Sequence, residues 1–136
     1  MRRTDRRRWT AAAGLALVAA AIGDAGPEII ESRSLVAGYD GPGPLIYLGV
    51  AAAVATVRRR FMPLLAVVTG VVFLAGGFAN SSFVSRLGTP AEPVPFFAGW
   101  LQMAGFAGAV AFGLAAARPV RAAGSDRDHA TEGDRR

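Results

Sequence analysis

Three consecutive arginines, Arg58-Arg59-Arg60, interrupt an otherwise apolar stretch. Uncharged residues run into them from Leu45 and out again from Phe61 to Ser85. Arginines cannot rest in hydrocarbon, and so short an interruption leaves room only for a tight turn. The pattern predicts a hairpin between two membrane-crossing helices, held on the cytoplasmic side because arginine-rich short loops resist translocation. The rest of the topology can be counted outward from that point.

The 25 uncharged residues from Phe61 to Ser85 and the 25 from Pro93 to Ala117 are the strongest support. At about 1.5 Å per residue each reaches ~37 Å as a helix, beyond the ~30 Å hydrocarbon thickness of a bilayer. Charge is segregated to match. All 15 basic residues are arginine, and 13 of them fall in Arg2–Arg8, in Arg58–Arg60 or after Ala117. A net charge of +5 distributed in this way is topological bias, so nucleic acid is not an expected partner. Cysteine is absent, which excludes disulfides, thiolate chemistry and thiolate metal sites. Arginine without lysine, with abundant Ala and Gly, is the composition of a GC-rich bacterial genome.

The expected fold is all-α: an integral membrane bundle of four transmembrane helices over residues 9–117, with spans at about 9–25, 44–57, 61–80 and 96–117. A basic cytoplasmic tail, residues 1–8, precedes it, and a polar cytoplasmic tail without bulky apolar residues, 118–136, follows as a disordered segment. The first span has two readings. Its 15 uncharged residues, Trp9–Gly23, are short for a crossing helix, and a basic start with small residues Gly23 and Ala25 also fits a cleaved signal peptide. The retained helix is the preferred reading. Residues 24–43 then form an external segment carrying Asp24, Glu28, Glu31 and Asp40 against Arg33. Gly26-Pro27-Glu28 reads as a new helix start there. Tyr47 is expected at the outer headgroup level, with Phe96, Phe97 and Trp100 as another aromatic anchor.

Helical wheels separate small from bulky residues. Ala66, Thr69, Gly70, Phe73, Gly77 and Asn80 share a face of the third span; Ala98, Gln102, Gly105, Ala109, Gly113 and Ala116 share one of the fourth. Gly49, Ala52 and Thr56 line the second, opposite Tyr47, Val50 and Val54. Small residues let membrane helices approach, so these faces are predicted to pack inward with bulky residues outward. Gly77 and Gly105 are the expected close approaches. Met103 and Val110 fall on the outward side.

The candidate polar contacts are Gln102, Thr69, Asn80 and Asp24. Gln102 is expected to act as interhelical glue, to Thr69 or Thr56. Asp24 reads as an exposed helix end, which leaves no charge buried in the membrane and weighs against ion-coupled transport. Glu28 and Glu31 lack the converging oxygens of a divalent-ion site, and His129 stands alone in the tail. With no nucleophile–base pair or phosphate loop, the chain is read as non-enzymatic and without cofactor.

In size the chain resembles the small multidrug-resistance transporters, but that family's membrane-embedded first-helix glutamate has no counterpart in residues 9–23. Gly77-Phe78-Ala79-Asn80-Ser81-Ser82-Phe83 is similar to the third-helix break of the dual-topology fluoride channels, whose remaining pattern is missing. The functional expectation is a small multi-pass protein of the bacterial inner membrane, with both termini cytoplasmic. It would serve as an accessory or scaffold subunit, with the bilayer and a membrane protein or second copy as partners. A small oligomeric channel or transporter is the alternative.

Overall fold

The first helix does not stop at Asp24. In the computed structural model, which describes residues 3–38, 42–57, 59 and 61–118, helix α1 runs unbroken over Arg3–Ser32 and carries Pro27 in its interior. Proline removes one backbone donor, here the one that would bond the carbonyl of Gly23, yet a helix packed against neighbours on its sides can tolerate the loss. The expected helix start at Gly26-Pro27-Glu28 is therefore absent. The stop comes at Arg33, whose φ of 53° takes the left-handed conformation that usually falls to glycine after a helix. Ser32 closes the end: its hydroxyl donates to the Glu28 carbonyl at 2.6 Å and accepts from the Ser34 amide at 3.2 Å.

Five further helices follow among the described residues: α2 (Leu35–Gly38), α3 (Pro42–Thr56), α4 (Met62–Ala79), α5 (Ser81–Leu87) and α6 (Pro93–Ala117). No described residue is in a strand. Three helices, Thr4–Ser32 within α1, α4 and α6, are long and apolar enough to cross a membrane, whereas α3 is equally apolar but has 15 residues. Starts follow local chemistry. Prolines at the first or second position open α4 and α6, where a missing N–H costs nothing. Asn80 opens α5, its Oδ1 accepting from the amides of Ser82 at 3.1 Å and Phe83 at 3.3 Å and from the Ser82 hydroxyl at 2.7 Å.

Facing residues show that neighbouring helices run antiparallel. Along α1 and α6, Gly23 meets Ala98 and Gln102, Ala16 and Ala20 meet Gly105, and Trp9 stacks on Phe112 with ring centroids 5.8 Å apart. Along α4 and α6, Gly70 meets Phe106 and Val110, and Pro63 and Val67 meet Gly113. α1 and α6 make the most extensive contact, with α4 on α6 and α3 on α1 next. One end of the bundle therefore gathers the start of α1, the α3–α4 turn and the end of α6. The other end gathers Asp24, the start of α3 and α5.

The small face of α6 is the buried one: Gln102, Gly105, Ala109, Gly113 and Ala116. Ala66, Thr69 and Gly70 are likewise buried on α4. The expectation of bulky residues outward fails in several places, Val67 on Gly113 among them. On α3 the buried residues are Pro44, Tyr47, Ala51 and Val54, while Gly49, Ala52 and Thr56 are exposed, so its faces are reversed. Met103 is buried, and Val110 packs on Gly70. Leu17 and Phe106 are fully enclosed. The physical reason is volume. Where α1 and α6 touch backbone to backbone, the space left beside the seam is filled by a few large side chains, as close packing requires.

Candidate functional site

Tyr47 joins two different environments. Its ring stands edge-on to Phe73 at 4.6 Å and to Phe106 at 4.9 Å, and those two rings stack on each other at 5.6 Å. Edge-to-face packing of this kind adds to simple area burial. The hydroxyl leaves the aromatic cluster and reaches a polar one. It donates to the carboxylate of Asp24, while the side-chain amide of Gln102 donates both to that carboxylate and to the Tyr47 oxygen. Tyr47 is 3% exposed and Gln102 7%, so both belong to the core; Asp24 is partly buried.

Three helices supply this cluster, one side chain each, and local sequence explains how they meet. Gly23 precedes Asp24, and a Cβ there would lie 2.6 Å from both the Ala98 carbonyl oxygen and the Gln102 amide nitrogen. Only a residue without a side chain lets α1 approach α6 so closely beside Gln102. Gly43 does the same for α3. A Cβ on it would lie 2.7 Å from Asp24 Oδ2 and 2.9 Å from the Tyr47 hydroxyl. The carboxylate therefore rests against the first turn of α3, where the partial positive charge of a helix start favours an anion. Arg86 on α5 adds a favourable positive field.

The remaining candidates lie apart from this cluster. Thr69 is buried on α4. Thr56, the other expected partner of Gln102, is exposed and donates to its own helix at Ala52, 2.7 Å away. Asn80 caps α5. Gly105 lies against the backbone of α1, whereas a Cβ on Gly77 would meet only the flexible tip of Met103 closely, 2.9 Å from Cε. The structure thus brings together Asp24 and Gln102 and adds Tyr47, which the sequence reading assigns to a headgroup layer. Asp24 is not an exposed helix end: it sits within a helix long and apolar enough to span a membrane, so the bundle does hold an acid there. Among the described residues, no three of His, Cys, Asp and Glu converge as a metal site. His129 lies outside the described residues.

Chemically, the arrangement holds one carboxylate by two neutral donors. Among the described residues, no buried side-chain nitrogen or oxygen is left without a hydrogen-bond partner. Compared with protein-family profiles, with curated proteins and with solved structures, the chain matches none.

Proposed function

We propose that this chain is a four-span protein of the bacterial inner membrane, with both termini cytoplasmic, acting as a non-enzymatic accessory or scaffold subunit. The arginines support the orientation, since 13 of 15 fall on one side when four helices cross. α3 is the short crossing: 15 residues give ~22 Å, and a bilayer can thin around such a helix at modest cost. Asp24 lies 16 residues beyond Arg8, about 24 Å along α1, and so within the hydrocarbon layer near its outer edge.

One observation carries the structural role: the carboxylate of Asp24 is taken up by Tyr47 and Gln102 from two other helices. An acid at this depth is expensive unless paired, and paired in this way it ties α1, α3 and α6 together. The bilayer is the first partner of such a protein, and a membrane-protein subunit or a second copy is the next. A transporter is the second reading, favoured by the same acid, because intramembrane acids mark ion and proton routes.

Purified protein in liposomes separates the two. The structural reading expects ion and proton flux at the level of empty vesicles, with Asp24→Asn changing stability alone. Selective flux abolished by Asp24→Asn would establish the transporter instead.

A further inference from the structure

At the end of the bundle opposite Asp24, the first turns of α1, the end of α3, Arg59 and the start of α4 line a cleft of about 520 Å³. Arg6, Arg7 and Arg59 line it together with Val57 and Met62, and the buried Val54 and Pro63 close its floor. We propose that this cleft binds an anionic phospholipid, the phosphate against the arginines and the upper part of an acyl chain along Val57 and Met62.

Charge complementarity commits the site to an anion, and guanidinium groups suit phosphate because they can donate two parallel hydrogen bonds. The surroundings commit it to a lipid rather than to free phosphate. Val57 of the lining and the neighbouring Phe61 are both exposed, apolar surface from which a soluble anion gains nothing. Basic pockets between helices on the cytoplasmic side are a recognised way to hold lipid headgroups. Arg7 and Arg59 are exposed, which leaves their guanidinium groups accessible from the interface. The seat also joins segments distant in sequence, so an occupant would bridge the start of α1 to the α3–α4 turn.

The proposal rests on the membrane reading, and the test keeps the two apart. Full-length protein in mild detergent is mixed with phosphatidylglycerol or phosphatidylcholine, and bound lipid is counted by native mass spectrometry. Phosphatidylglycerol should be retained preferentially, and Arg7→Gln with Arg59→Gln should weaken it on the order of 10- to 30-fold, as two interfacial arginines imply. Ala55→Trp, which narrows the cleft without changing charge, should weaken it as well. Arg118→Gln, an exposed arginine outside the cleft's lining, should leave it unchanged. Equal retention of both lipids, an equal loss in Arg118→Gln, or displacement by millimolar inorganic phosphate would each overturn the site while leaving the membrane reading intact. A protein that stays in solution without detergent and enters no vesicle would overturn both.

Discussion

Gly105 of α6 and Ala20 of α1 sit so close that a methyl group on Gly105 would lie 2.6 Å from the Ala20 amide nitrogen and 2.8 Å from its Cβ. The same methyl would lie 2.6 Å from the Ala16 carbonyl oxygen. Backbone cannot step aside as a side chain does. Gly105→Ala should therefore lower stability by about 1–3 kcal/mol or more, through overpacking. A methyl on Gly77 would press only on the flexible tip of Met103, 2.9 Å from Cε, with the Phe83 ring at an ordinary contact distance of 3.5 Å, so Gly77→Ala should be nearly silent. Gly49→Ala opens onto free space out to 4 Å, and it should be neutral or gain up to ~1 kcal/mol from helix propensity. Thermal unfolding of the three variants in one detergent gives the ranking, and a Gly49 variant as damaged as the Gly105 variant would contradict the helix faces described above.

Tyr47→Phe keeps the aromatic contacts and removes the hydroxyl that Asp24 accepts from. Hydrogen bonds between membrane helices average about 0.6 kcal/mol and reach about 1.7, which sets the expected loss. Gln102→Leu should cost a similar amount. Because both donors serve one carboxylate, the double variant should depart from the sum of the singles. Strict additivity, measured by thermal unfolding, would mean that the two side chains do not share Asp24.

Arg33 holds a left-handed backbone without being glycine. The strain is worth ~1–2 kcal/mol, and glycine's extra freedom when unfolded offsets up to ~1 of it. Arg33→Gly should be neutral or slightly stabilising, whereas Arg33→Val, branched at Cβ, should destabilise. Equal melting temperatures for the two would show that the turn relaxes.

Asn80→Ala removes the acceptor for two amides at the start of α5 and should cost ~0.5–2 kcal/mol. Asn80→Asp keeps an acceptor and should lose less. Amide exchange at Ser82 and Phe83 reads the effect locally.

How much of this was legible in the sequence depends on what each residue had to reveal. Long uncharged runs disclosed the helices α4 and α6, since length and apolarity are local properties. The inward small face of α6 was legible too, because Gly105, Ala109 and Gly113 repeat at helical spacing. The polar cluster was hidden. Asp24 follows a run of only 15 uncharged residues and precedes a glycine and a proline, all of which mimic a helix end. Tertiary packing, closest against α6 at Gly23, supports α1 onward through Pro27. Tyr47 suits both a headgroup layer and a core, and its choice is made by Phe73, Phe106 and Asp24, none of them near it in sequence. α3 was reversed for the same reason: a rule about small residues cannot see that α1 leaves a large volume to fill.

The proposed four-span bundle requires α3, though short, to cross the membrane and send the arginine turn to the cytoplasmic side. The chain has no cysteine, so single cysteines can report on it cleanly. Ser34→Cys, Arg59→Cys, Thr89→Cys and Arg118→Cys are treated in intact cells with an impermeant thiol reagent. Labelling is expected at positions 34 and 89, with 59 and 118 reacting only after the membrane is opened. Labelling of position 59 together with position 34 in intact cells would place both ends of α3 on one side and contradict the four-span bundle.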